Sequence, residues 1–546
     1  MSHKINIFDL ILFWPFEISE EQSKDGVGRE AIKQQLTAQS AWQESLDPLR
    51  RGCTDQDDGF AYAEWCEFHP SVRRFLYGDS AGSAERGPER PFDLYRSARS
   101  NNQKLRIEES DCQIEFAIRD LRLYVADNGL AFVTLDLTAT APTTWRFALN
   151  ALSKFRAIYP QYYEAVEEDD RVKGWRVGGA YERIRIEPEE AETPFEKLHP
   201  SAEGRGAELK KALDDRQPPI LGHWRRLLHP LLDLEIGPHL LSDHRMSAMV
   251  WMGVEEIHKL SNDDWMALAE ADEFGFSPYS EAFLSEALHE TAYDRWWDQR
   301  KAEDLKQDHR YVVGEKVLAS VKGLPPGAVP PYVERIRKSW RRQYAQMYFV
   351  AQFQRASLLA LQDRVADATP QIRLDGSGVV CRDERKLLER VEELQAAMAV
   401  FSSRYWFPEV SNQVQPQDLY AKVKKKLRLE ELYSSVLEDK ALLGAWVTAR
   451  EERRRDKFWN RVNWFFIPMS LLLSFLGANL ILEPAKSFVT TSRLGDILQW
   501  PARLFTHAMW VELATAGTLT LILLASYTAF HLLELFWRKF RDRRSL

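Results

Sequence analysis

The chain has 546 residues, room for roughly three or four average domains, and its 45% hydrophobic and 28% charged residues exclude wholesale disorder. A net charge of −8, from 73 basic and 81 acidic residues, is too balanced for a dedicated nucleic-acid binder, and 26 Gly with 25 Pro exclude a fibrous or low-complexity chain. The average hides a split: from Arg450 onward there are about 14 Lys/Arg against about 8 Asp/Glu, so the first 449 residues carry roughly −14.

The opening run MSHKINIFDLILFWPFEI is too short, and too interrupted by Asp9 and Pro15, for a signal peptide or span, and suits a buried strand. Cys53, Cys66, Cys112 and Cys381 show no C-x-x-C spacing, so neither a disulfide framework nor a thiolate zinc site is indicated. Residues 1 to about 330 read as mixed α/β. Two strand-like runs within CQIEFAIRDLRLYVADNGLAFVTLDL meet at Asn128-Gly129, a pair suited to a tight hairpin turn. Further strands are expected at Gly59–Phe68, Tyr181–Glu187 and Met246–Val254, a helix at Thr144–Phe155, and a surface loop at Glu187–Arg205. From about Pro331 the pattern changes to long charged helices over Tyr332–Val365 and Arg382–Tyr405. A third begins near Pro416, with Leu429, Leu432, Val436, Leu443 and Trp446 in helical register. With no strong breaker after Gln417, this helix is expected to run unbroken to Leu482.

Trp464–Leu482 is uncharged over about 19 residues and Leu513–Phe530 over about 18, each long enough at 1.5 Å per residue for a hydrocarbon core of about 30 Å. Both read as transmembrane helices. Arg450, Arg453, Arg454, Arg455, Lys457 and Arg461 before the first, and Arg538, Lys539, Arg541, Arg543 and Arg544 after the second, place both termini in the cytoplasm.

Phe466-Ile467-Pro468, then Gly477-Ala478-Asn479, then Pro484, at the end of a long helix feeding two C-terminal spans, resembles the CorA family of divalent-cation channels. Leu476, Ala478 and the long connection depart from the usual motif, and the resemblance covers the last 130 or so residues. It implies an α/β cytoplasmic domain, long stalk helices and two C-terminal transmembrane helices in a homopentamer of the bacterial inner membrane. The divisions are 1–330 (enlarged cytoplasmic domain), 331–462 (stalk), 463–537 (spans at about 464–482 and 510–534, loop 483–508) and 538–546 (basic tail). Mg²⁺ or another divalent cation is then the permeant or regulatory ion. Asp456, Trp459, Asn463, Ile467, Ser470 and Ser474 share one helical face, with Gly477 and Asn479 beyond them, and form the expected pore. The alternative is that the serines bond their own backbone or let helices pack closely.

No phosphate-loop, dinucleotide, zinc-protease or nucleophile-elbow motif occurs, so an enzyme has no sequence support. His223, His229, His239 and His244 fit no compact metal site. Arg73-Arg74 and Arg225-Arg226 lie beside aromatic residues where an anionic ligand would find bidentate contacts, although structural ion pairing is the simpler role. Some CorA-like proteins with enlarged cytoplasmic domains are encoded beside type III CRISPR systems, and the resemblance therefore includes gating by a nucleotide messenger made from S-adenosylmethionine and ATP, in antiviral defence. A membrane-tethered interaction protein without a pore is the competing class.

Overall fold

The computed structural model describes residues 3–17, 33, 36, 42–45, 58–78, 91–98, 103–109, 112–168, 171–181, 184–187, 201, 204–229, 245–273, 279–301, 307–326, 329–368, 372–375, 378–381 and 384–491. Two compact units divide the chain, Met1–Ala441 and Leu442–Leu546. The order begins β1 (Lys4–Glu17), β2 (Trp42–Glu44), α1 (Asp58–Glu67), α2 (Pro70–Tyr77), β3 (Phe92–Ser97), β4 (Lys104–Glu109), β5 (Cys112–Ala126), β6 (Leu130–Ala139), β7 (Thr143–Thr144) and α3 (Trp145–Phe155). Next come β8 (Tyr162–Glu168), β9 (Arg171–Gly178), β10 (Ile184–Glu187), α4 (Arg205–Asp215), α5 (Gly222–Leu228), β11 (Ser247–Val254), α6 (Asn262–Glu270), α7 (Glu281–Thr291), β12 (Ala292–Trp297), β13 (Asp308–Val313) and β14 (Val317–Gly323). The helical part follows as α8 (Pro331–Ser339), a π-helical turn Trp340–Tyr344, α9 (Ala345–Ala368), β15 (Ile372–Asp375), β16 (Gly378–Cys381), α10 (Glu384–Val400), a second π turn Phe401–Tyr405, α11 (Val414–Lys426) and α12 (Leu429–Thr491).

Among the described residues twelve strands form one mixed sheet, ordered β10-β4-β5-β6-β1-β11-β14-β13-β12, with β3 also on β5, β2 on β3 and β7 on β1. The β11–β14 pair is parallel; the other pairings are antiparallel. β1 runs through the middle, hydrogen-bonded to β6 on one side and β11 on the other. Strand alternation then gives the sheet two different faces. Phe8, Leu10, Leu12, Trp14 and Phe16 enter a large apolar core with Trp145, Phe155, Trp224, Trp265 and Leu268 from α3, α5 and α6. Asp9 and Phe13 face the other way, where Arg337 of α8 and Tyr348 of α9 meet them.

On that second face the packing is aromatic. Phe349 of α9 lies 4.5 Å from Tyr124 and 5.4 Å from Phe132, centroid to centroid, while Phe75 of α2 meets Phe353 at 5.0 Å and Tyr405 at 5.9 Å. Tilted and edge-to-face pairs of this kind add to the burial of their areas. They bind α2, α9 and the second π turn to the strands.

The N-terminal strand, the hairpin closing at Asn128-Gly129 (Gly129 φ 85°) and the helix before Phe155 form as expected from the sequence. Met246–Val254 supplies β11, and Tyr181–Glu187 contains the short β10. Gly59–Phe68 is helical up to Glu67 rather than a strand, because its inward residues are Glu64 and Glu67, a helical step apart and each given a polar partner. The last helix is also interrupted: Leu427 and Leu429 are both buried, and the chain turns between them at Arg428, φ 52°. The expected loop at Glu187–Arg205 lies mostly outside the described residues.

The expected CorA-type fold, an inner-membrane channel with two C-terminal spans assembled as a homopentamer, is corrected. Among the described residues no helix is long and apolar enough to cross a membrane. α12 carries Arg450, Glu451, Glu452, Arg453, Arg455, Asp456, Lys457 and Arg461 in its middle. The expected loop 483–508 is helical over its first part, 483–491, as the end of α12, and the rest of that loop, the second expected span and the tail 538–546 lie outside the described residues.

Truncating Phe349 to Ala removes the ring shared by the aromatic contacts to β5, β6 and α2. Urea unfolding is expected to show a loss of about 3–5 kcal/mol; a loss below about 1 kcal/mol would mean that these contacts do not hold α9 to the sheet.

Candidate functional site

The polar residues that the apolar core cannot accommodate gather on the second face, beneath α8, the first π turn and α9. Three strands supply the floor. β5 would present Asp120 to the apolar core if its alternation were regular, but a register shift between Ile118 and Asp120 puts Ile114, Phe116 and Ile118, then Leu121, Leu123 and Val125, in that core. Asp120, Arg122 and Tyr124 are left on the helix side. Bulges often re-aim side chains in this way beside functional sites.

Asp120 stands directly opposite Asp136 of β6, and Arg122 opposite Thr134. Two carboxylates facing each other across a ladder repel, so this row requires cations. Arg96 Nε donates to Asp120 Oδ1 at 2.6 Å and Arg122 Nε to Asp120 Oδ2 at 2.5 Å. Arg341, in the π turn, spans Asp136 with Nε (3.1 Å) and Nη2 and gives Nη1 to Thr138 Oγ1 at 3.0 Å. One strand over, Asp9 is 1% exposed. It accepts Arg337 Nε at 2.5 Å, Arg337 Nη2 at 2.6 Å and the Thr138 hydroxyl at 2.9 Å. Glu334, a turn before Arg337, completes that pair from the rim at 3.1 Å.

Between floor and roof lies a cavity of about 40 Å³, lined by Asp120, Arg122, Thr134 and Asp136 below and by Arg341, Ala345 and Gln346 above, with Phe13, Tyr124 and Phe349 closing its apolar side. That is room for roughly three water molecules. Burial raises the Asp136 carboxyl, Arg341 pulls it back, and Asp9 and Asp120 push it up again, with a net rise. Burial opposes the charge on Arg122, but Asp120 and Tyr124 outweigh it and hold the guanidinium protonated.

A π turn inserts an extra residue into a helix and is frequent at functional sites. Here it lets consecutive residues serve different partners. Arg341 reaches Asp136, while Arg342 donates Nε to Glu64 Oε2 at 2.8 Å, and Glu64, fully buried, also accepts from Tyr77 at 3.0 Å. Trp340 and Tyr344 stack on each other and on Tyr311 of β13. Gln415 of α11 ties Tyr311, Tyr344 and Trp296 through its amide. Nearby, burial and then Lys322 lower His309 to about 3, so its ring is neutral against Ser320 at 2.8 Å. The second π turn repeats the device: Tyr405 donates to Asp127 at 2.5 Å, its carbonyl accepts Gln354 Nε2 of α9 at 2.9 Å, and the adjoining Trp406 stacks on Tyr433 of α12 at 4.5 Å.

The residues expected to act from the sequence lie elsewhere. Arg73 donates to the Phe68 and Cys66 carbonyls and covers the Trp65 ring at 4.1 Å, which caps the end of α1, while Arg74 is exposed. Arg225 and Arg226 belong to α5, whose Trp224 packs on Phe155 in the apolar core. The two arginine pairs therefore sit on opposite faces of the sheet and do not share a pocket. His223 is buried against Phe155 and Trp224, His229 is half-buried, and His239 and His244 lie outside the described residues. Asp456, Trp459, Asn463, Ile467, Ser470 and Ser474 are exposed along α12, and the Ser470 hydroxyl donates to its own helix at Ile467 O, 2.9 Å. Gly477 and Asn479 are in the same helix, and their side-chain environment lies outside the described residues. Among the described residues no group of three His, Cys, Asp or Glu side chains is arranged to hold a metal ion. Asp9, Asp120, Asp136, Arg337 and Arg341 carried no motif; the one signal available was three aspartates inside otherwise apolar strands.

Glu67 tests the electrostatics of this face. It accepts the Ser411 hydroxyl at 2.5 Å, and burial pushes its carboxyl up. A raised folded value means its contribution is complete below the usual glutamate range and is lost as pH rises through that raised value. The urea midpoint should therefore fall between about pH 5 and about pH 8 by more in the native chain than in Glu67→Gln; equal falls would contradict the assignment.

Comparison with known proteins gives no matching family model, no matching curated protein and no matching solved structure, so none of the three identifies a CorA-type family.

Proposed function

We propose that the protein is a sensor rather than a catalyst: a small charged ligand, received by the sheet unit at the arginine–aspartate layer, changes how α8 and α9 sit and so changes the start of α12. The observation that carries this reading is the pair of π turns. The first holds α9 to the layer through Arg341, and the second joins the middle of α9, through Gln354 and Tyr405, to Trp406 and Tyr433 at the base of α12. Ion pairs suit a switch better than apolar packing, because their geometry is specific and their net stability small. A ligand shifts such a balance by as much as it prefers one state to the other.

The acids of the layer are engaged by arginines, which supports recognition over general-base chemistry. A nucleotide and Mg²⁺, the ligands expected from the sequence, remain the first to try. Self-association through α12 belongs to the same proposal, since Trp459, Trp464 and Phe466 are each more than half exposed there, and exposed apolar surface of this extent marks an interaction site.

Arg341→Gln in the full-length chain is expected to speed amide exchange across α9 and residues 429–440 by about tenfold or more while leaving β11 and β14 unchanged. Unchanged exchange in residues 429–440 would break the proposed path. Sedimentation of the native chain beside Trp459→Glu/Phe466→Glu should show loss of an oligomer; a monomer in both would remove self-association from the proposal.

A further inference from the structure

Tyr348, Gln352 and Arg355 follow one another at steps of four and three residues, so they share one face of α9, and that face meets the start of β11. Tyr348 and Gln352 are each 2% exposed. Tyr348 packs edge-on against Phe13 at 5.2 Å, and Phe13 stands opposite Ser247 in the β1–β11 ladder. The Ser247 hydroxyl donates to Gln352 Oε1 at 3.1 Å, which occupies the amide oxygen and leaves the amide nitrogen to find an acceptor of its own. Among the described residues it has none, and neither do the buried Tyr348 hydroxyl and the buried Arg355 Nε. Glu315 holds the other end of the Arg355 guanidinium, at Nη2, 3.3 Å. Buried donors in this state cost free energy, and folded proteins leave few of them. Here three occur within two turns of one helix face.

We infer that this face of α9 and the start of β11 form a binding site for a halide ion, chloride above all, held by Tyr348 Oη, Gln352 Nε2 and Arg355 Nε. The partner these atoms require must accept, since an arginine nitrogen and an amide nitrogen only donate. A water molecule would accept from two of them and then have two hydrogens of its own to place. A halide accepts from all three and brings none. The charges agree. Arg156, 2% exposed at the end of α3 with Nη1 on the Met246 carbonyl at 3.2 Å, acts on the Tyr348 hydroxyl together with Arg355. Burial pushes that hydroxyl up to about 12, so it keeps its proton to donate, while Ser247, Arg355, Gln352 and Arg156 pull the other way. Glu315 takes up part of the Arg355 charge, and burial holds Glu270, within charge reach of Arg156, toward its neutral form. The positive excess that remains suits one negative charge. Arg355 keeps 18% of its side chain exposed, which gives the ion its way in from solvent. The site belongs to β11 rather than to the arginine–aspartate layer, and it does not rest on the sensor reading.

The test compares the full-length chain in sodium chloride and in sodium gluconate at equal ionic strength, which cancels general screening. Chloride is expected to raise the thermal midpoint by about 2–4 °C, reaching a plateau as the site saturates. The protein should also broaden the chloride NMR line, and bromide should reverse the broadening by displacement. Tyr348→Phe keeps the ring and removes the hydroxyl; Arg355→Lys keeps the charge and removes Nε. Each should weaken chloride about tenfold. In gluconate Tyr348→Phe should melt no lower than the native chain, because its hydroxyl has no bond to lose. A midpoint and line width indifferent to chloride would mean that water serves these donors and would overturn the inference. Chloride effects undiminished in both variants would put the ion elsewhere, with the same consequence. A Tyr348→Phe chain that melts lower in gluconate would show the hydroxyl already partnered and would remove the main reason for the site.

Discussion

The contact on which the helical half of the molecule depends is the bidentate pair between Asp9 and Arg337. Asp9 sits in the middle of β1, and β1 is itself the middle of the sheet, so its carboxylate has almost no access to water. An ionised group in such a place is tolerated when it is paired and hydrogen-bonded, and removing its partner leaves a buried charge uncompensated. The two guanidinium bonds and the Thr138 hydroxyl meet that requirement together. They also fix where α8 lies, and α8 fixes the π turn that follows. Burial competes with Asp9 and Glu334 at Arg337, and the carboxylates prevail, keeping the guanidinium charged.

From that point the two faces of the sheet follow different physics. The face under α3, α5 and α6 is apolar and close-packed, and stabilises by area removed from water. The face under α8 and α9 combines the aromatic cluster around Phe349 with the ion-pair layer. The aromatic cluster holds α9 firmly, while the layer makes its first turn sensitive to charge. Under the proposed sensor reading a ligand would act on the layer rather than on the apolar core, since local adjustment draws on contacts weaker than the core.

Much of the scaffold was legible because its signals are local. Asn128-Gly129 marks a hairpin whichever sheet it joins, and Thr144 caps α3 through the Phe147 amide, a signal contained within four residues. The site was not legible for a matching reason. Arg337 and Asp9 are 328 residues apart and Arg341 and Asp136 are 205 apart, and no spacing rule connects them. The aspartates looked like interruptions of strands, and the bulge that turns Asp120 toward the helices is a register property of paired strands. Arg73 and Arg225 attracted notice as doublets, but a doublet on a helix points its members in different directions. The C-terminal reading rested on two uncharged runs, and it is not supported because among the described residues no helix is long and apolar enough to cross a membrane.

The central claim is that buried charge pairing, rather than apolar contact alone, clasps α8 to the sheet. A double-mutant cycle with Asp9→Asn and Arg337→Gln, read by urea unfolding, tests it most directly. The account expects each single change to cost about 3–5 kcal/mol, and the double change to cost less than their sum by about 2 kcal/mol or more. Costs that add to within about 0.5 kcal/mol would show that the two side chains do not act on each other, and the clasp would have to be sought in the aromatic cluster instead.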